Sequence, residues 1–342
     1  MTRPLVSVVI PAFNHARFVG EAIATALAQD VSSLEVVVVD DGSTDGTLDV
    51  LRGIGDPRLR VYEQENRGAH AALDAGIMRS QGEYVALLNS DDRFAPGRLS
   101  RALDALRRDS GLDLVGSHIT IIDADGRRRG VKHGFADLDP WPVPVPEDTF
   151  KADDDLRTAL LLQNYWATTS NFVMPRATYE RHGPFRPLRY CHDWDFALRV
   201  QFGGRAALLP EPLVDYRLHG TNTIRENRAA MVFEICWLMA VHVPRYVAGA
   251  GFWQAGRERR ARQLLRSIHV YGCDRVLWGM MLHLASGPPG TDLALLDPSD
   301  PVRRLYMDEI TGILTHGHRE RPVPFKVRLR RSLRDLAGRV RM

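Results

Sequence analysis

Residues 34–46 read LEVVVVDDGSTDG. Leu34 to Val39 is a short, mostly β-branched run, the composition of a strand covered on both faces, and it breaks at Asp40-Asp41-Gly42 before a Ser43-Thr44-Asp45 group suited to starting a helix. The same alternation extends to either side. Strand patterns at Val6 to Ile10, Leu34 to Val39, Arg60 to Glu63 and Glu83 to Leu88 alternate with helical spacing in Ala16 to Gln29, Asp45 to Gly53, Ala69 to Arg79 and Pro96 to Arg108. Consecutive βα units predict a Rossmann-like α/β fold: a mostly parallel, twisted sheet flanked by helices on both faces. Ligands of such sheets bind at the carboxyl ends of the strands, so the loops after Ile10, Val39 and Leu88 are where chemistry is expected.

Beyond residue 110 the pattern changes. Leu112 to Val131 reads as two extended runs reversing at Ala124-Asp125-Gly126, a β-hairpin. Residues 137–150, with Pro140, Pro142, Pro144 and Pro146, read as a loop, and a second α+β stretch runs from about Asp153 to Arg217. After Thr223 the pattern is helical to about Ser286 and is interrupted by Gly287-Pro288-Pro289-Gly290. The expected organisation is a domain over 1–222, divided near 110, followed by a helical C-terminal extension over 223–342.

At 342 residues, 44% hydrophobic and 25% charged, the chain has ordinary globular composition, which excludes a disordered, collagenous or disulfide-stapled protein. Cys191, Cys236 and Cys273 have no close spacing, so local sequence builds neither a zinc ribbon nor a CxxC pair, and a reducing cytoplasmic setting is expected. The apolar run ended by Pro11 is too short for a secretion signal. The most apolar later stretch, Met231 to Val243, is interrupted by Glu234 and His242 and falls short of the roughly 20 residues that cross a bilayer. Nine basic residues against Glu320 and Asp335 give residues 319–342 a net +7, and the chain total of +3 leaves the remainder at −4. A mildly acidic body with a basic tail argues against a nucleic-acid partner and for an anionic contact at the C-terminus.

The first strand ends in Pro11-Ala12-Phe13-Asn14, without the glycines that wrap a pyrophosphate in a dinucleotide fold or the basic loop of a nucleotidyltransferase. Asp40-Asp41 and, after the fourth strand, Asn89-Ser90-Asp91-Asp92 place two acidic clusters at one sheet edge. One of Ser43, Thr44 and Asp45 is expected to cap the following helix, which leaves Asp40 and Asp41 unexplained. Adjacent carboxylates repel, and two such clusters favour a hard cation over a solvated turn. Mg²⁺ or Mn²⁺ takes one or two carboxylates and completes its shell with phosphate oxygens and water.

These residues resemble the family 2 glycosyltransferases, which have the GT-A fold. The resemblance lies in Val8 to Asn14, Val38 to Asp45, Asn66-Arg67-Gly68, and Gly82-Glu83-Tyr84-Val85 leading to Asn89-Ser90-Asp91-Asp92. It implies a nucleotide-binding half over 1–110 and an acceptor-binding half over 111–222. Pro11, Phe13, Asn14 and Asp41 would hold the nucleotide, with Asp41 accepting from a ring N–H of the base, and Asp92 would ligate the metal while Asp91 faces the ribose or donor sugar. Asn89 stands where the family often has Asp. Asp193, in Tyr190-Cys191-His192-Asp193-Trp194-Asp195, matches the motif that carries the catalytic base of inverting members, with His192 in place of its first carboxylate. The alternative for Asp193 is helix capping, with Asp195 in a surface pair with Arg199.

Further along, Tyr216-Arg217-Leu218-His219 resembles the family's Tyr-Arg-x-His segment, making His219 a candidate metal ligand or diphosphate contact. Arg67 and His70 would approach the diphosphate or base, or Asn66-Arg67-Gly68 is a turn in which Gly68 takes a positive φ. Trp166 and Trp194 would form a sugar platform or pack in the core. The reaction implied is inverting transfer of a hexosyl or deoxyhexosyl group from a UDP-, dTDP- or GDP-sugar, with Mn²⁺ or Mg²⁺, to a saccharide or lipid-linked acceptor in envelope polysaccharide or glycolipid assembly. A non-catalytic sugar-nucleotide or polysaccharide-binding module is the alternative. In the tail, Phe325, Leu329, Leu333, Leu336 and Val340 share a helical stripe beside arginines, which suits a peripheral contact with an anionic membrane or docking on the protein itself.

Overall fold

The structure, a computed structural model, describes residues 3–133, 160–161, 163–220, 226–248 and 270–316. The proline-rich 137–150 segment and the basic 319–342 tail lie outside the described residues.

The βα reading of the first 110 residues is what the chain does. β1 (Val6–Ala12), β2 (Leu34–Asp40), β3 (Leu59–Glu63) and β4 (Tyr84–Leu87) alternate with α1 (Val19–Leu27), α2 (Thr47–Arg52), α3 (Ala69–Arg79) and, after the two-residue β5 (Arg93–Phe94), α4 (Arg98–Arg108). β1 pairs in parallel with β2 and β4, and β2 with β3. The expected hairpin is β6 (Leu114–Asp123) with β7 (Arg128–Lys132), antiparallel. The remaining strands are β8 (Val173–Pro175) and β9 (Ala206–Leu218).

Together they form one sheet in the order β3-β2-β1-β4-β8-β6-β9-β5, with β7 on β6. The first half is parallel, and beyond β4 the sheet is mixed, because β8 runs antiparallel to both β4 and β6 while β9 runs parallel to β6. The double reversal turns the carboxyl ends of β4, β6 and β9 toward the same edge as β1 and β2. Pro210 and Pro212 sit in β9 where the register against β6 shifts around His118, the kind of irregularity that tolerates residues without an N–H.

The period-2 rule divides the cores. Val6, Val8 and Ile10 of β1 face one core with α1 and α4, whereas Val9 faces the other with Leu73 and Ile77 of α3. Gly76 makes that second contact possible: a Cβ there would lie 2.4 Å from Val9 Cγ1. The second core continues into α5 (Arg176–His182), α6 (His192–Gly203) and the C-terminal helices α7 (Arg228–Ala248), α8 (Asp274–Ser286) and α10 (Pro301–His316), joined by Leu295 and Leu296 just after the short α9 (Thr291–Ala294). α7 is 21 residues long and apolar enough to match a bilayer by length, exceeding the 13-residue apolar run that marks it in sequence, but most of it is buried inside the protein. All three cysteines are free and buried.

Candidate active site

Four loops meet at the carboxyl edge of the sheet. β1 runs on through Pro11 to Ala12, and the chain then turns at Asn14, whose φ of 52° is left-handed. Asn14 ties this loop to the one after β2: its N–H donates to Ser43 Oγ at 2.9 Å, and its Oδ1 accepts from the Thr44 N–H at 2.8 Å. Pro11 is buried, and Phe13, at 40% exposed, is the aromatic surface on this edge. Asp45 is the residue that serves the start of α2, accepting from the Thr47 N–H at 2.9 Å.

Asp40 and Asp41 point to different tasks. Asp40 Oδ1 accepts from the Ser43 N–H at 2.8 Å, closing the turn through Gly42, where a side chain would collide with the Asn66 backbone nitrogen. Asp41 reaches across to the loop after β3, accepting from Gln64 Nε2 at 2.7 Å and from the N–H groups of Arg67 and Gly68 at 2.9 and 2.8 Å. A carboxylate offers about four lone-pair sites, and these three donors take three of them. Gly68 has a positive φ, the Arg67 side chain is exposed on the same loop, and burial followed by the nearby His192 pushes His70 down to about 4.

The fourth loop is Asn89 to Asp92. β5 pairs with β9 through Arg93 opposite Asp215 and Phe94 opposite Val214; continuing that register sets Asp91 against Arg217 and delivers His219 just past it. His219 Nε2 lies 2.9 Å from Asp91 Oδ2. His15, from the loop after β1, completes a group: ligand atoms of His15, Asp91 and His219 all lie within 4.8 Å of one another. The sequence singled out Asp91 and His219 but not His15. Its only signal is a histidine directly after Phe13-Asn14, in a loop already expected to bind.

Asp92 is enclosed. Its Oδ2 accepts from Ser170 Oγ at 2.6 Å and Thr168 Oγ1 at 3.4 Å, and its Oδ1 accepts from the Arg217 N–H at 2.9 Å. Burial first, and then the charge of Asp91, push its carboxyl well above the usual range. For Asp91, burial acts upward, but the hydrogen bond to His219 and the charges of His15 and His219 outweigh it and hold the carboxyl down. The resemblance gave the cation to Asp92 and the sugar to Asp91; in the fold it is Asp91 that lies against His219, while Asp92 is held by Ser170, Thr168 and the Arg217 N–H. Arg217 locks the loop, its buried guanidinium donating to the Asp91 carbonyl at 2.7 Å and to Ala124 at 3.2 Å. The Asn89 side chain is used up between Thr168 and Thr169, donating to one at 2.9 Å and accepting from the other at 2.8 Å. The buried Thr168-Thr169-Ser170-Asn171 turn that receives it carries no motif that would reveal it.

Asp193 opens α6. Its Oδ1 accepts from the Trp194 N–H at 2.7 Å, a task of the first helical turn, and its Oδ2 accepts from Asn164 Nδ2 at 2.9 Å. Lys132 Nζ, at the end of β7, donates to the Asn164 carbonyl at 3.1 Å. Burial pushes this lysine down to about 7, against the pull of Asp193. Asn164 and Lys132 went unread in the sequence because their spacing from Asp193 is set only by tertiary structure. Asp195 is not the surface pair its i, i+4 spacing suggests: it is fully buried among Arg199, Arg186 and His242. Trp166 is core, packed edge-on to Phe172, and Trp194 is half-buried with Nε1 donating to the Leu160 carbonyl.

A family model described as glycosyl transferase family 2 matches residues 7–185, just over half of the chain. The chain is 31% identical over 227 residues to an uncharacterised glycosyltransferase of Nostoc sp., covering 64% of this chain and 66% of that protein. It is 29% identical over 222 residues to a chondroitin synthase of Escherichia coli, covering 64% of this chain but 30% of the synthase. The chain therefore spans slightly under two thirds of the first of these curated relatives and far less of the second. Among solved structures, S. aureus TarS (residues 1–349) in complex with UDP-GlcNAc superposes with a TM-score of 0.57 at 16% identity, covering 90% of this chain and 79% of that one. The mannosyltransferase PcManGT from Pyrobaculum calidifontis, in complex with GDP-Man and Mn²⁺, gives 0.52 at 19% identity, covering 92% and 87%. At these identities the likeness is one of fold, the GT-A sheet with its flanking helices.

Proposed function

The chain belongs to glycosyl transferase family 2, and from that premise we propose that it is an inverting, metal-dependent transferase moving a hexosyl or deoxyhexosyl group from a nucleoside-diphosphate donor to an acceptor hydroxyl. The observation that carries the reading is the meeting of Asp91 and His219 at the carboxyl edge of the sheet, beside the Asn14 and Asp41 loops. A hard carboxylate and an imidazole 2.9 Å apart fit a divalent cation, since two adjacent ligands on bonds of about 2.1 Å are themselves ~3 Å apart. Asp91 and His219 would hold that ion, and Asp92, enclosed by Ser170, Thr168 and the Arg217 N–H, would hold the loop.

When bound, the cation neutralises the charge that develops on the departing diphosphate. The chain's own groups do the rest. Pro11, Phe13 and Asn14 border the base, Asp41 offers its remaining acceptor to a ring N–H, and Arg67 faces the diphosphate. Asp193, steadied through Asn164, takes the proton of the acceptor hydroxyl as that oxygen attacks the anomeric carbon opposite the leaving group, which inverts it. One protein base suffices, because the diphosphate needs no protonation to leave, unlike the alkoxide of a glycoside. The chondroitin synthase relative supports polysaccharide assembly, and the basic tail supports work at the inner face of the cell membrane by a cytoplasmic protein.

The test is binding and turnover of UDP-, dTDP- and GDP-sugars with Mn²⁺, Mg²⁺ or EDTA, in the wild type, Asp91→Ala and Asp193→Asn. One donor should bind only with metal, more weakly by about 10-fold or more in Asp91→Ala. Asp193→Asn should keep donor binding and lose about 10³-fold in kcat. Absence of binding to every donor under every metal would reject the enzyme in favour of a non-catalytic module.

A further inference from the structure

Building on the reading that Asp91 and His219 hold the donor's cation, we infer that His15 is a third protein ligand and that the two-imidazole, one-carboxylate set makes this a site for a first-row transition ion such as Mn²⁺ in preference to Mg²⁺. Three observations converge on His15. Its ligand atom lies within 4.8 Å of those of both Asp91 and His219, so closing on one ion takes a shift of the order of an ångström, within the reach of side-chain torsions. Its ring stands nearly perpendicular to that of His219, at 86° with centroids 5.6 Å apart, so the two imidazoles approach one point without stacking on each other. And the ring is already oriented: Nδ1 lies 2.7 Å from Ser90 Oγ, while the backbone N–H is fixed on Thr47 Oγ1 at 2.9 Å.

The Ser90 contact is the decisive one chemically. A histidine that ligates a metal almost always gives its other ring N–H to an oxygen, which fixes the tautomer and raises the basicity of the coordinating nitrogen. With Nδ1–H donated to Ser90, the lone pair sits on Nε2. Ser90 is buried and stands directly before Asp91, so the segment that supplies the carboxylate also aims the second imidazole. The charge balance also suits the reaction. One carboxylate and two neutral imidazoles leave a divalent ion with a net +1 and open positions for diphosphate oxygens and water. Mg²⁺ prefers an all-oxygen octahedron, whereas an imidazole pair with one carboxylate is a set that first-row transition ions take readily.

Pulsed EPR of the full chain loaded with Mn²⁺, alone and with UDP or GDP, counts the imidazole nitrogens on the ion. Two coupled imidazoles in the wild type and one in His15→Ala are expected, with Mn²⁺ affinity weakened about 10- to 100-fold in the variant and Mg²⁺ affinity changed less than about 3-fold. Ser90→Ala should keep both couplings while losing part of the Mn²⁺ affinity. A single imidazole in the wild type, a count that needs no variant to fold, would overturn the role of His15 and leave Asp91 and His219 standing. So would unchanged Mn²⁺ affinity in a folded His15→Ala or His15→Asn. If the wild type bound no Mn²⁺ with either nucleotide, the metal reading itself would fall, and this proposal with it.

Discussion

Asn89 shows how a departure from a familiar acidic pattern acquires a physical reason. Its carboxamide donates to Thr168 and accepts from Thr169, a pair of demands that a carboxylate, acceptor only when ionised, meets in part. An aspartate there would also stand beside Asp91 and Asp92, where burial and the charge of Asp91 already push the Asp92 carboxyl well above the usual range. Asn89→Asp is therefore expected to cost about 1–3 kcal/mol without metal, from one lost hydrogen bond and one added like charge. Urea denaturation should show the midpoint falling with unchanged slope, and saturating Mn²⁺ should restore part of the loss. A variant as stable as the wild type in EDTA would mean that the amide is incidental. The two aspartates themselves were legible, because adjacent carboxylates at a strand end are conspicuous. Which of them lies against His219 was not, because that depends on how β5 pairs with β9, and a two-residue strand leaves no pattern in the sequence.

At the scale of elements, the long apolar strands and their helices could be read because burial on both faces forces β-branched runs. β8, with three residues, and β9, broken by two prolines, could not be delimited. α7 was legible as an apolar stretch, but Glu234 and His242 read there only as interruptions. In the fold they are what α7 does for the site. Glu234 accepts from three consecutive N–H groups, those of Arg189, Tyr190 and Cys191, at 2.8, 2.7 and 2.9 Å, and His242 Nε2 lies 2.8 Å from Asp195. One helix thus grips the chain on both sides of Asp193. Glu234→Ala would leave three donors to find water or nothing, at a cost of about 1–3 kcal/mol for each one left unpaired. Hydrogen exchange over 189–191 should accelerate well beyond that of β1, while Glu234→Gln, which keeps a carbonyl acceptor, should fall between the two. Equal protection of that segment in wild type and Glu234→Ala would show the contact to be dispensable.

At the scale of the whole molecule, burial shifts titration in a common direction for several histidines. His15, His70, His118, His182 and His242 are all held below the usual histidine value, with burial as the largest cause in each. The sign follows from proton binding. A histidine near 6.5 when unfolded and near 4 when folded, as His70 is, leaves the unfolded chain binding the extra proton between those values. The stability it contributes is therefore present above about pH 6.5 and is lost as pH falls toward 4. Buried carboxyls held up, such as Asp74 and Glu234, act the other way, since the stability they contribute belongs to low pH and is lost as pH rises through their folded values. The net slope mixes both, so the informative quantity is a difference between variants. His70 is partly exposed, which discounts its full shift to a contribution of about 1 kcal/mol between pH 7 and 5. His70→Gln removes the titrating group and should lose less stability over that interval, so that its Tm falls by a degree or two less than that of the wild type on acidification. Parallel Tm curves for the two proteins from pH 7.5 to 5 would mean that His70 titrates alike folded and unfolded, and would remove it from the groups that make this fold acid-sensitive.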